Sequence, residues 1–590
     1  MRKTILIFIF FFCVFYGQAQ TLPSNRSVDW TLAGLRDTTT SGFSIIDMQA
    51  YGVIGDSISP NDSILTAVLN IYTDSNVILV FPNGIFLFNN TINISSNTII
   101  KGQGPSNTTF KIDLGGSGNG INIQGTSINT DTTSLVQSAT KDSSFIIVAD
   151  TSIFSSKDWI RIIQVDSNLV TSSWARESVG QVVQIEQIVN NKFILSSPLR
   201  MDYNIVLSPY IQKINPIQNV GIECIKINRI DDTSPQHSSN ITFRYTVNCW
   251  VNGIESQNCS FSHIKAEYSS NVSISKSYFH HAFDYGVGGR AYGVMLHYTT
   301  NECLVEDNIF KHLRHSMILQ AGANGNVFSY NYSFDPYWST TPNNSAGDMV
   351  LHGNYPYSNL FEQNICQNIV IDDSHGTNGP HNTFLRNRSE SYGIFFSATN
   401  SPNQNFLGND IPNTSFPYSF VNYTILGTGH FLHGNNNKGT INPIGTSALP
   451  DSSYVYTTKP LFVPISQWAG IGTPNTMGNA SIPALDRYNS GFLFSSSCGN
   501  NITTGNKDEI QTNGVQIYPN PTTNFINIKS ENNIKNIRIT DIHGRLINDF
   551  SKIDGFSKID ISNIKNGLYF ILILFTDNSF TMVKLIKINA

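Results

Sequence analysis

The chain has 590 residues, enough for several domains or for one long repeat array with an accessory domain. Charged residues make up 13%, about half the usual ~25%, and the formal net charge is −5. That balance excludes a nucleic-acid binder, which needs a basic stripe, and 40% apolar with 11% aromatic residues exclude wholesale disorder.

Residues 1–19 read as a secretory signal. Arg2 and Lys3 form the charged start, Thr4 to Tyr16 the apolar stretch, and Gly17-Gln18-Ala19 a small-residue cleavage site. The stretch is too short to span a bilayer comfortably. No other run is long and apolar enough, so the mature chain is expected to be exported without a transmembrane segment. Loss of Cys13 leaves Cys224, Cys249, Cys259, Cys303, Cys366 and Cys498. Export permits disulfides, and the spacings match no zinc pattern. Buried free thiols and one or two bridges both fit.

The next block runs from Ser41 to Gly104. Asp47-Met-Gln-Ala-Tyr-Gly-Val-Ile-Gly-Asp56 precedes a helical pattern at Ile64, Ala67, Val68 and Ile71. A strand, Val77-Ile-Leu-Val-Phe-Pro-Asn-Gly84, follows, and the block ends at Gly102-Gln-Gly104. This order resembles the N-terminal segment of the pectate-lyase-like superfamily. The resemblance implies an all-β chain folded as a right-handed parallel β-helix over 41–497. The short helix would cap the first coil and protect its open edge.

Internal repeats point the same way. Segments of one pattern end at Thr246, Ser277, Asn308, Asn331, Asn364, Asn387 and Asn409, at steps of 31, 31, 23, 33, 23 and 22 residues. About 22 to 24 residues make one coil, by resemblance to that fold, and the longer steps add a loop. Three residues before each end stand Phe243, Ile274, Val305, Phe328, Phe361, Phe384 and Phe406, a predicted inward stack. The final asparagines predict a ladder of stacked amides at a turn. A second strand aligns without gaps and ends at His297, Gln320, His352, Asp372 and Ser397. These residues should form one polar column, at the roughly 4.8 Å spacing of neighbouring strands.

Residues 498–514 read as a polar linker. From Val515 the order Tyr-Pro-Asn-Pro, Asp-x-x-Gly-Arg, Asn-Gly-Leu-Tyr and a terminal Lys-containing strand resembles the C-terminal sorting domain of the type IX secretion system. The resemblance implies a small β-sandwich over 515–590. It also implies a Bacteroidota-type outer-membrane export route, with that secretion machinery as a partner and release or surface attachment as the end point.

Chemistry concentrates in 280–390, where eight of the thirteen histidines fall. Arg314-His315 could bind a substrate carboxylate and remove a proton. His352 ends a strand in the column with His297, Gln320 and Asp372. Asp372-Asp373-Ser-His375 could be an acid/base pair, a Ca²⁺ site or a solvated turn. Asp348, Asp372 and Asp373 come from adjacent coils, within reach of the carboxylate separations of a glycoside hydrolase. Arg290, His297, Gln320, Tyr337 and Trp338 are the expected substrate-binding residues, the aromatics as sugar platforms on a loop beside the scaffold. Arg386 and Arg388 read as structural. The Arg-x-Pro-x-x-Arg pattern of pectate lyases is absent. The Asp-Asp and His-Gly elements that polygalacturonase-like hydrolases carry in different coils here fall together within 372–376. The site residues are therefore inferred from clustering alone. The expectation is a secreted, monomeric enzyme on polysaccharide, a lyase on a uronate-containing glycan before a hydrolase. An epimerase and a non-catalytic carbohydrate-binding adhesin are the remaining alternatives.

Overall fold

The computed structural model describes residues 20–36, 40–231, 237–285, 289–337, 347–420, 424–494 and 498, and 515–587 except 521, 531–532, 542–545, 552–555 and 577–579. The expected signal and residues 499–514 of the expected linker lie outside the described residues. Chain contacts divide the molecule into two units, 1–500 and 501–590.

The first unit winds as a parallel β-helix of three faces. The first face is a twelve-stranded sheet, from Ser44–Asp47 to Phe431–His433, with every pairing parallel. The other two faces share a twenty-stranded sheet that folds at a corner. On the second face Glu255–Cys259, Tyr278–Ala282, Ile309–Lys311 and Tyr332–Phe334 are successive coils. On the third face Ser239–Arg244, Ser262–Glu267, Tyr292–His297, His315–Leu319 and Met349–His352 are successive coils. Strand-to-strand crossovers of this parallel kind are right-handed. The unit is the right-handed parallel β-helix that the N-terminal block implied.

Alternation decides which side chains face inward. On the first face Ile274, Val305, Phe328, Phe361, Phe384 and Phe406 are each paired to the next and fully buried. The rings of Phe361 and Phe384 stack 4.9 Å apart, as do those of Phe384 and Phe406. Phe243 is not part of this stack. It pairs with Ala266 on the third face, and the first-face neighbour of Ile274 is Val251. Strands of different faces share the same apolar alternation, so Asn240–Thr246 mimicked a repeat to which it does not belong.

The asparagine ladder is present at the corner between the first and second faces. Each amide from Asn308 to Asn387 donates to the Oδ1 of the next, and the ladder runs through Asn409 to Asn435. A second ladder, Asn326, Asn359, Asn382 and Gln404, starts the same segments. The helix Asp62–Ile71 places Leu65 and Val68 in one core with Phe86 and Phe88.

Two features lie outside the repeat. Residues 126–215 form a six-stranded sheet with antiparallel pairings and a core of their own, inserted between coils. Residues 20–36 and 443–494 run over the turns, where Arg386 donates to the carbonyls of Leu449, Asp451, Ile471 and Thr473. Arg388 donates to the carbonyls of Gly478 and Ala480. One disulfide joins Cys224 to Cys498, and Cys249, Cys259, Cys303 and Cys366 are free and buried. Cys498, read from sequence as the first linker residue, is thus bonded to the first unit.

The tail unit has a three-stranded and a four-stranded antiparallel sheet. Ile526, Ile528, Ile537, Ile539, Ile571 and Ile573 share their core.

Candidate functional site

The third face carries the polar column. Arg244 pairs with Glu267, Glu267 with His297, and His352 with Asp372 in the register of the sheet. Gln320 follows Leu319, whose partners Leu296 and Leu351 place it between His297 and His352. The side chains alternate with the inward Leu296, Leu319 and Leu351, so they point away from the core.

At the centre, His352 Nδ1 lies 2.5 Å from Asp372 Oδ2. Its ring is 5.4 Å from that of His315 and 4.8 Å from that of His375. Gln320 Nε2 donates to the His352 carbonyl (2.9 Å). Burial raises the cost of a charge on Asp372. The hydrogen bond and charge of His352, with two hydrogen bonds from Ser374, outweigh it and hold the carboxyl below the usual range. His352 faces Asp372 through Nδ1 at ion-pair distance, which leaves Nε2 as the ring nitrogen not turned to the carboxylate.

His315 donates from Nδ1 to the Gly347 carbonyl (3.0 Å), and its buried Nε2 has no partner. Burial, with the charges of His352 and Arg314, pushes it down to about 3. It is a neutral acceptor. Burial and His352 lower His375 as well. Arg314 acts electrostatically on His315, His375 and Tyr292. Its Nη1 is buried without a partner. A buried guanidinium nitrogen without an acceptor is costly.

Farther along the column, His297 Nε2 is 3.0 Å from Glu267 Oε1, and Lys265 and Arg244 also pair with Glu267. Burial works against the Glu267 charge, but His297 and the two cations hold it below the ordinary range. Burial lowers His297 despite its carboxylate partner.

Several expected residues sit elsewhere. Asp348 is buried, accepting from Ser333 Oγ (2.8 Å) and from the amides of Gln367 (2.6 Å) and Asn368 (3.0 Å). Burial pushes it up to about 6. It ties coils together where the register shifts between Cys366 and Asn368. Asp373 accepts from Ser397 Oγ (2.7 Å) and Asn400 (3.0 Å), a turn role. Arg290 pairs with Asp284. Tyr337 stacks on Tyr285 (4.6 Å) next to His312 rather than on the column. Trp338 lies outside the described residues. Among the described residues no group of three His, Cys, Asp or Glu side chains is arranged to hold a metal.

Glu267, Tyr298 and Trp174 did not emerge from the sequence reading. Glu267-Tyr268 and His297-Tyr298 are one dipeptide pattern repeated in successive coils, a signal that was available. Trp174 belongs to the insertion, which has no repeat to align.

Residues 516–589 match the secretion system C-terminal sorting domain. The tail is a type IX sorting domain. The protein is therefore exported, either secreted or held at the cell surface. No helix among the described residues is long and apolar enough to cross a membrane. No curated protein matches the chain. Similar solved structures include the Gp54 tailspike of Acinetobacter baumannii bacteriophage AP22 in complex with a capsular saccharide, at 13% identity. The match covers 66% of this chain and 71% of that one, with a TM-score of 0.42. The tailspike gp61 of Pseudomonas phage phi297 is 12% identical, over 66% and 73%, with a TM-score of 0.45. An exopolygalacturonase from Thermotoga maritima is 10% identical, over 64% and 83%, with a TM-score of 0.35. At these scores the fold assignment rests on the strand pairing of this chain itself.

Proposed function

We propose that this protein is an exported enzyme that cleaves a uronate-containing polysaccharide by β-elimination. The observation that carries the reading is the half-buried Arg314, whose charge acts on His315 and His375, the two rings that flank His352 and its carboxylate partner Asp372. Pairing with Arg314 would neutralise the uronate carboxylate and acidify its C5–H. His352 Nε2, backed by Asp372, would take that proton as general base. The electron pair forms the C4–C5 double bond, the C4–O4 bond breaks, and the departing oxygen takes a proton from water.

A glycoside hydrolase needs a protonated carboxylic acid and a second carboxylate across the bond. Asp372 is held ionised by His352. Asp348 has the raised affinity for a proton, but its oxygens are engaged by Ser333, Gln367 and Asn368. This division favours elimination over hydrolysis.

The test is ultraviolet absorbance of the unsaturated product with a panel of uronate polysaccharides. A rise that disappears in His352→Ala and Arg314→Ala supports the reading. New reducing ends without absorbance would replace it with hydrolysis. Glycan binding without turnover would replace it with an adhesin.

A further inference from the structure

The insertion reaches the column. Its loop is tied down by Thr171 and Ser172, whose amides both donate to Asn354 Oδ1 (3.1 and 3.2 Å). Thr171 Oγ1 donates to the His375 carbonyl (3.0 Å), and Asn354 Nδ2 donates to Ser172 Oγ (3.0 Å). Thr299 Oγ1 donates to the Ser178 carbonyl (2.6 Å), and Asn301 holds both the amide and the carbonyl of Val182. Every one of these bonds joins the insertion to a coil turn, so the loop is fixed relative to His352.

That loop presents Trp174, which is 44% exposed. An exposed tryptophan on a loop anchored at both ends is a costly choice unless something covers it. Its ring meets Tyr298 at 5.8 Å and His375 at 5.9 Å, nearly perpendicular to each. Tyr298 in turn lies 4.3 Å from His297, and His375 lies 4.8 Å from His352. Five rings thus form a continuous rim, and Gln320 stands between its two ends in the column. Tyr298 is braced from behind by Tyr268 (5.3 Å) and Tyr245 (4.9 Å further), with Arg161 over the Tyr268 ring at 4.3 Å. The rim combines apolar ring surface with polar groups at its base, the composition of a small-molecule subsite.

We infer that Trp174 and Tyr298 form a pyranose-binding subsite next to His352, and that the insertion 126–215 is the element that supplies it. The occupant is one sugar ring of the glycan chain, its C–H face against Trp174 and its hydroxyls toward Gln320 and His297. The inference rests on the glycan-cleaving reading of the column but not on the type of bond cleavage. Trp174 is then a binding residue, separate from the proton-transfer groups.

The experiment compares full-length parent, Trp174→Ala and Trp174→Phe on the polysaccharide the parent turns over, with circular dichroism to verify folding. The expected result is a roughly tenfold rise in KM for Trp174→Ala, equivalent to about 1.4 kcal/mol, with kcat within about twofold. Trp174→Phe should recover most of the loss. An unchanged KM, or a fall in kcat alone, overturns the subsite and leaves Trp174 as a brace for His375. If the parent turns over no uronate polysaccharide, the same three proteins go onto an array of neutral and acidic glycans. Binding that weakens in Trp174→Ala sustains the subsite while the elimination reading fails. Binding by the parent that is unaffected in Trp174→Ala, or no binding by the parent, overturns the subsite.

Discussion

Asn364→Ala is the sharpest test of what holds the coils together. Asn364 is fully buried. Its Nδ2 donates to the Phe328 carbonyl (2.8 Å) and to Asn387 Oδ1 (2.9 Å). Its Oδ1 accepts from the Asn331 amide (3.0 Å) and from Asn331 Nδ2 (2.9 Å). Truncation removes all four bonds and strands the Asn331 amide. A stranded buried donor costs about 1–3 kcal/mol, and each further lost bond about 0.5–1.5 kcal/mol. The expected loss is therefore about 4 kcal/mol. Unfolding entropy near 2.1 cal/mol/K per residue, over about 480 residues of the first unit, gives about 1 kcal/mol per degree. Scanning calorimetry should show the first-unit transition lowered by about 4 °C. Asn93→Ala, at an exposed position outside the ladder, should shift it by less than about 1 °C. Equal, small shifts for both variants would refute the claim that the ladder carries stability.

Three further predictions follow from the buried groups. Asp348→Asn should fold and keep turnover, since an amide can accept from Gln367 and Asn368 and donate to Ser333. Because the folded Asp348 binds its proton more tightly than an unfolded aspartate, its contribution is present below about 3.8 and lost as pH rises through about 6. The stability of Asp348→Asn relative to the parent should therefore climb across that window in denaturant titrations. His315 has the opposite sign. Its folded affinity for a proton is depressed from 6.5 to about 3, so its contribution is complete above 6.5 and is lost as pH falls toward 3. His315→Asn should flatten the acid limb of the stability profile by up to about 1.4 kcal/mol per pH unit. Replacing Cys224 and Cys498 by Ser opens a loop spanning 274 residues, worth at most about 5–6 kcal/mol by chain entropy. Melting should fall while KM stays unchanged, because the bridge joins the first unit away from the column.

The coils were legible because solenoid physics repeats itself in the chain. Phe328, Phe361, Phe384 and Phe406 recur because each inward ring must stack on its equivalent. Asn331, Asn364 and Asn387 recur because each turn must satisfy the same backbone groups. The column from His297 to Asp372 was legible for the same reason: gapless strand alignment fixes register, and register fixes which side chains share a line. What occurs once was not legible. Trp174 sits in an insertion with no second copy. Asp348 aligns with Gly293 and Ser316 at a strand start, and nothing in that alignment reveals that two amides one coil away need an acceptor. Arg290 and Tyr337 lie on loops whose partners, Asp284 and Tyr285, are set by tertiary placement.

The measurement that bears most directly on the central claim is the mass of the products formed in heavy-oxygen water. Elimination predicts an unsaturated uronate at the new non-reducing end and the original glycosidic oxygen, not a solvent oxygen, at the new reducing end, with release abolished by His352→Ala. A gain of one water per bond cleaved, with the heavy oxygen at the new reducing end and no unsaturated end, would contradict it.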